Sequence, residues 1–204
     1  MNLEDFPIFS DTIFYTVWNP ELIDVHSDIH PEYFTKVKET TNGVEIKLNV
    51  KVIGKLTIPK EFNGQRVVAF SSNTKGKVGN ERKVDPNLLE VTHIFIEKNE
   101  NGKVNLKTIE NETFFECINL RYFEFADGLE QIGAAAFQSV QNLRDSTSIE
   151  YLKTISANAF TNAFKFDSDR NLLYISGSLT SIGSEAFSNF LAINDNNLES
   201  HYRI

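Results

Sequence analysis

The sequence predicts an α/β repeat solenoid, a short arc with parallel strands on one wall and a β-hairpin capping its N-terminal end. Three observations carry this. An apolar spacing recurs four times, short alternating segments lie between the recurrences, and a longer alternating stretch with a turn signal precedes them. The 17 Phe, against one Met and one Trp, add that one packing position is being reused.

Residues 1–32 match no repeat and form an N-terminal arm or extension. Phe6, Phe9, Phe14, Tyr15 and Trp18 make the arm too aromatic for a plain disordered tail. It either folds back on the solenoid or reaches into a partner. Residues 33–66 form the hairpin cap and first strand. Val44, Ile46, Leu48, Val50 and Val52 alternate on one face, with Lys and Glu among the residues between, and Thr41-Asn42-Gly43 supplies a hairpin turn. A cap is needed because the first coil of a solenoid otherwise exposes its core.

Residues 67–193 carry the repeats, after a polar insertion from Ser71 to Asp85. Taking an apolar residue and its positions +3, +8, +11 and +14, one set is Leu106, Ile109, Phe114, Cys117 and Leu120. The next are Leu129, Ile132, Phe137, Val140 and Leu143, then Leu152, Ile155, Phe160, Ala163 and Phe166. The last is Leu179, Ile182, Phe187, Phe190 and Ile193. Position +7 is Thr113, Ala136, Ala159 and Ala186, so a small residue recurs just before the Phe. Alternating Ile94-Phe-Ile96, Phe123-Glu-Phe125 and Leu173-Tyr-Ile175 lie between the blocks and read as strands. Each unit is then a strand, a turn and a short helical or irregular return. Stacking fills the coil with a ladder of Phe114, Phe137, Phe160 and Phe187. Residues 194–204 read as a polar C-terminal tail.

The repeat resembles the BspA-like, or Treponema pallidum-type, leucine-rich repeat, whose pattern is apolar-x-x-Ile-Gly-x-x-Ala-Phe-x-x-Cys-x-x-Leu. Leu129-Glu-Gln-Ile-Gly-Ala-Ala-Ala-Phe137 and Leu179-Thr-Ser-Ile-Gly-Ser-Glu-Ala-Phe187 match closely, and Ile109 to Leu120 supplies the Cys and Leu positions. Leu56-Thr-Ile-Pro59 with Gly64-Gln-Arg-Val67 looks like the start of a first repeat, so the resemblance covers about residues 34–193. The unit after Val67 departs by losing the Ala-Phe spacing, and Ser146 and Ser148 stand where strand residues should be apolar, which makes that rung weak. The resemblance implies arrays used as protein-interaction and adhesion surfaces.

The tests for chemistry point away from an enzyme. His26 and His30 share a spacing that a helix could use for a metal, but Pro20 and Pro31 flank them, so a surface loop is expected and no metal. Cys117 occupies a buried repeat position and reads as core, and a single Cys excludes an internal disulfide. Asn111-Glu-Thr113 is a glycosylation sequon, expected to be unused without a secretory route. Asn63-Gly64 and Asn101-Gly102 read as turns, not phosphate cradles. Nothing indicates a cofactor. A net charge of −8 argues against nucleic acid. No run approaches the ~20 apolar residues of a membrane helix, and the acidic start broken by Pro7 lacks the signs of a signal peptide. Virion or cytoplasm is therefore expected, with the cell surface less favoured.

What remains is a surface. Strand residues between core positions face outward, and across units they include His93, Tyr122 and Leu172 in one column and Phe95, Glu124, Thr147 and Tyr174 in the next. Aromatics mixed with acids suit a protein partner, although outward aromatics also cross-pair along a sheet for stability alone. The expected function is a non-enzymatic binding or structural module. Within that reading, a part of a multi-chain particle such as a phage virion or tail is favoured. A leucine-rich-repeat adhesin or scaffold, or a glycan-binding accessory domain, is the alternative.

Overall fold

The structure is a computed structural model that describes residues 23–24, 29–73, 84–143, 148–166, 174–175, 177–189 and 191–192. In chain order its strands begin with β1 (Ile23–Asp24), β2 (Phe34–Thr40), β3 (Gly43–Leu48), β4 (Val52–Ile58), β5 (Glu61–Phe62), β6 (Gln65–Ser71) and β7 (Val91–Ile96). They continue with β8 (Thr108–Ile109), β9 (Tyr122–Phe123), β10 (Gln131–Ile132), β11 (Ser148–Ile149) and β12 (Thr154–Ile155). The last are β13 (Lys165–Phe166), β14 (Tyr174–Ile175), β15 (Ser181–Ile182) and β16 (Leu191–Ala192).

The chain winds between two strand walls. Wall A runs β1-β4-β7-β9, all parallel, and contains the Ile94 and Phe123 strands expected from alternation. Wall B runs β2-β3-β6-β8-β10-β12-β15. Its pairs are parallel except the terminal β2–β3 hairpin, which turns at Thr41-Asn42 and closes the N-terminal end as a cap. The edge strand β2 carries a bulge between Lys36 and Lys38 and is charged along its length, the usual protection of a sheet edge. β11 and β14 pair with each other, and among the described residues that ladder is separate from wall A. Ser148 of this ladder stands where the repeat calls for an apolar residue.

The return between the walls is irregular. Among the described residues the one helix is a 3-10 turn at Pro31–Tyr33. In all four units the return is built from two successive turns whose third residues, at repeat positions +6 and +10, have positive φ: Glu112 and Glu116, Ala135 and Ser139, Asn158 and Asn162, Glu185 and Asn189. The turns close through bonds such as Ala136 N–H to Gly133 O (3.2 Å) and Val140 N–H to Phe137 O (3.2 Å). Left-handed backbone costs a non-glycine residue roughly 1–2 kcal/mol, so something must hold it. The support comes from the neighbouring coil. The N–H groups at +6, +8 and +10 donate to carbonyls at +5, +7 and +9 of the next unit. Ala135 to Ala157 (3.0 Å), Phe137 to Ala159 (2.8 Å) and Ser139 to Thr161 (2.8 Å) form one such set.

Inside, the expected rings stack. Phe114–Phe137, Phe137–Phe160 and Phe160–Phe187 centroids lie 5.0, 5.2 and 5.4 Å apart. The ladder also extends further than the spacing indicates. Phe70, on β6 in the irregular unit, is its first rung at 5.9 Å from Phe114, and Phe34 of the hairpin closes it edge-on at 6.3 Å. Phe123 and Phe125 fill the side toward wall A. Cys117 is buried in the same core, and burial pushes its thiol pKa up.

Side chains tie coil to coil. In a recurring Asn-Leu pair, Asn87, Asn119 and Asn142 each donate from Nδ2 to a carbonyl of the preceding coil: Leu48, Leu89 and Ile118, at 3.3, 2.9 and 2.7 Å. The sequon residues are both committed. Asn111 Oδ1 accepts from Ala134 N–H (2.8 Å), and the buried Thr113 hydroxyl donates to Glu110 O (2.7 Å). The insertion is clamped at its neck by buried Asp85, whose carboxylate accepts from Asn73 N–H (2.6 Å) and Asn87 N–H (3.0 Å); residues 74–83 lie outside the described residues. On the hairpin, Glu45 faces away from the ladder yet is fully buried, with Lys38 Nζ 3.0 Å from its carboxylate.

Wall B carries a charge ladder on its face. Glu130 lies between Lys107 (2.9 Å) and Lys153 (2.8 Å), one on each neighbouring coil. Hydrogen bonds from Lys153 and then Lys107 hold its carboxyl below the usual range. A depressed carboxyl stabilises the fold above its unfolded pKa and ceases to do so as pH falls through the lower, folded value. The difference in unfolding free energy between the native chain and Glu130→Gln should therefore be full at neutral pH and fall away as pH drops below the unfolded carboxyl value of about 4.3. With the side chain 36% exposed, screening keeps that difference under about 1 kcal/mol. Urea titrations across pH at low and high salt check it.

A candidate partner-binding wall

The outward face of wall A presents the expected residues where the register can be followed. Lys55, His93 and Tyr122 are aligned on successive strands, and Thr57 aligns with Phe95 one rung on. The rings form one patch. Tyr122 lies 5.3 Å from Phe95 and 6.2 Å from His93, centroid to centroid. All three are half-buried, so each offers an edge or face while its base is held by the sheet. His93 Nδ1 is further fixed 2.9 Å from the Thr92 hydroxyl, which also donates to Gly54 O. Burial first, and the Glu124 carboxylate second, raise the Tyr122 phenol above its ordinary range, so it stays a neutral hydroxyl with donor capacity.

Glu124 has a different job from the one its column suggests. Its carboxylate accepts from Ile96 N–H (2.9 Å) on the preceding coil and pairs with Lys98 (3.0 Å). Glu97 repeats the arrangement one coil earlier, with Lys60 N–H and Nζ both at 3.0 Å. These acids staple the end of wall A, beside the ring patch.

The sequence reading missed two residues aligned with these columns and one exposed ring further along the chain. Exposed Lys55 extends the His93 column, Thr57 extends the Phe95 column, and Tyr151 stands 40% exposed beyond β11. The alternation of β4 was the available signal for the first two. Of the other expected residues, Thr147 and Leu172 lie outside the described residues, and Tyr174 is described only as the strand partner of Ser148. The arm residues Phe6, Phe9, Phe14, Tyr15 and Trp18 also lie outside them. Where the extension becomes described it packs on its own chain: Ile23–Asp24 pairs with Val52–Ile53 at the edge of wall A. His26 lies outside the described residues, while His30 stacks on Tyr33 (4.6 Å) and meets Glu32 (3.0 Å).

A concavity of about 260 Å³ sits at the corner between the β5–β6 hairpin and the 99–105 loop. Lys60, Glu61, Arg66, Asn99, Glu100, Asn101 and Asn105 line it, without an aromatic ring. Asn99 and Asn105 are bonded to each other (3.0 Å), and Asn105 also to Lys60 O (3.2 Å). No helix among the described residues is long and apolar enough to cross a membrane.

Residues 95–204 match the BspA type leucine rich repeat region, in six copies. Among solved structures, the T. pallidum leucine rich repeat protein aligns at 17% identity and TM-score 0.39, over 77% of this chain and 86% of that one. A leucine rich cell surface protein from Faecalibacterium prausnitzii aligns at 18% identity and TM-score 0.41, over 76% of this chain and 50% of that one. No curated protein matches significantly. The match to the repeat region spans more than half of the chain, on a coil with a Phe ladder and a parallel wall. The chain belongs to the BspA-type leucine-rich repeat family.

Proposed function

We propose that the chain is a non-enzymatic binding module that engages a protein partner through wall A. The observation that carries this is the Phe95–Tyr122–His93 ring patch on the outward face of the sheet. Sheet walls are the binding surfaces of solenoids, and Tyr is enriched among the residues that dominate interface energy. The one thiol is buried in the core, which fits a module without chemistry of its own. The corner concavity has no ring in its lining and so does not supply the aromatic platform a glycan site needs.

The finer reading, a subunit of a multi-chain particle such as a phage virion or tail acting in virion or cytoplasm, rests on the aromatic composition of residues 1–32. Native mass spectrometry of the full chain with and without candidate neighbouring subunits tests it. A chain that stays monomeric beside all of them, with residues 1–22 protease-resistant, would overturn the particle reading. For the wall itself, Tyr122→Ala should weaken partner binding by at least about 2 kcal/mol, roughly 30-fold. Gln131→Ala on wall B should leave binding unchanged. Equal losses from both, with folding intact by circular dichroism, would remove wall A from consideration.

A further inference from the structure

Three Asn-Gly dipeptides, Asn42-Gly43, Asn63-Gly64 and Asn101-Gly102, are chemically equivalent as sequence. The fold makes them different. Gly43 is a strand residue, paired with Thr40 in the hairpin ladder, and a Cβ there would lie 2.2 Å from Arg66 O. Gly102 donates its N–H to Asn99 O (2.9 Å), and Asn101 N–H is bonded to Asn99 Oδ1 (3.0 Å), so that peptide is pinned on both sides. Asn63 and Gly64 are the two central residues of the β5–β6 loop, flanked by the Phe62–Gln65 pair, with φ of 51° and 73°. Both are exposed, nothing lies within 4 Å of the position a Gly64 Cβ would take, and the Gly64 N–H has no acceptor among the described residues. This is the arrangement of a two-residue primed turn, in which the second central N–H is outside the ladder.

We propose that Asn63 is a site of spontaneous covalent modification, deamidation through a cyclic imide. Hydroxide takes the Gly64 amide proton, and the freed nitrogen attacks Asn63 Cγ. The new C–N bond forms as the side-chain nitrogen leaves as ammonia. Water then opens the five-membered ring at either carbonyl, giving aspartate or isoaspartate, with no change in oxidation state. The fold selects this residue because its attacking nitrogen is neither hydrogen-bonded nor packed, whereas the other two are held.

The product has structural consequences. Either acid adds a negative charge at the tip of the hairpin that lines the corner concavity with Glu61 and Arg66. Isoaspartate also routes the main chain through the former side chain, lengthening a two-residue loop that has no slack. The Glu61–Arg66 and Phe62–Gln65 pairings should then open, releasing Phe62, which packs on the core.

Incubating the full chain at mildly alkaline pH in heavy-oxygen water, followed by peptide mapping, tests the selection. The expected result is that the Asn63 peptide gains heavy oxygen several-fold faster than the Asn42 and Asn101 peptides, as a mixture of isoaspartate and aspartate. The same chain in concentrated urea should show the three converting at similar rates. Asn42 or Asn101 leading in the folded chain would overturn the proposal, as would aspartate formed without isoaspartate. The same order persisting in urea would also overturn it, because local sequence and not the fold would then set the rates. Asn63→Gln should abolish the first-appearing product while leaving the other two sites unchanged; a product that persists in that variant belongs to another residue.

Discussion

Phe137→Ala is expected to lower the unfolding free energy by about 3–5 kcal/mol. The ring is fully buried, with Phe114 5.0 Å away on one coil and Phe160 5.2 Å away on the next. Phe123 and Phe125, at 5.0 and 5.6 Å, close the side toward wall A. The cavity left by removal cannot collapse easily, because the flanking rings are held in coils whose spacing is set by backbone hydrogen bonds. Phe187→Ala removes the same group from the half-buried C-terminal end of the ladder and should cost clearly less. Urea unfolding of the two variants measures this. A loss at Phe137 below about 1.5 kcal/mol, the range of well-tolerated core swaps, would contradict the ladder as the main source of core stability.

Gly133→Ala should destabilise by about 3 kcal/mol, the upper end of the range for overpacking. The glycine is needed here for close approach and not for a left-handed φ. A Cβ at Gly133 would lie 2.5 Å from Asn111 N and 2.6 Å from Glu110 C on the preceding coil. Those atoms are backbone and cannot rotate away. The approach is locked by Gly133 N–H to Ile109 O and by Ala134 N–H to Asn111 Oδ1, both 2.8 Å. Gly183 holds the same repeat position, with a Cβ only 2.3 Å from Ala157 N. It belongs to the last described coil, whose Leu179 and Phe187 are only partly buried, so less packing opposes a shift there and Gly183→Ala should cost less despite the shorter distance. Thermal unfolding of both variants distinguishes the cases. Equal losses would sink the argument from burial, and a neutral Gly133→Ala would sink the steric one.

The Phe ladder, the hairpin cap and wall A were legible because each repeats a side-chain chemistry at a constant interval. Wall B was not. Its repeat strands are two residues long, Thr108–Ile109, Gln131–Ile132, Thr154–Ile155 and Ser181–Ile182, too short for alternation to register; of their Ile, expected in the core at repeat position +3, Ile109, Ile132 and Ile155 are buried there, whereas Ile182 in the last described coil is 46% exposed. Phe70 escaped because the insertion destroys the spacing around it while leaving the ring in line. The left-handed residues had little signature: three of the eight are Asn, which tolerates this conformation, but the rest are Glu, Ala and Ser, and in the first three units hydrogen bonds donated to the next coil hold the conformation. At the candidate site the rings were readable, but the part played by Glu124 was not. Whether an outward carboxylate faces a partner or staples an N–H depends on where the previous coil ends, and one strand carries no record of that.

The backbone hydrogen bonds that join return arms at positions +5 to +10 all point one way. N–H groups at +6, +8 and +10 face the next coil, and carbonyls at +5, +7 and +9 face the previous one. In a strand, successive peptides alternate and their dipoles largely cancel. Here they align from coil to coil, each unit adding peptide dipoles of about 3.5 D to one column, as in a helix. The array thus has an electrical sense along its axis, positive toward the C-terminal coil and negative toward the cap. Two C-terminal faces brought together would meet donor against donor along this column. Only a chain running in the same direction can continue it, so any extension of the stack must be head to tail.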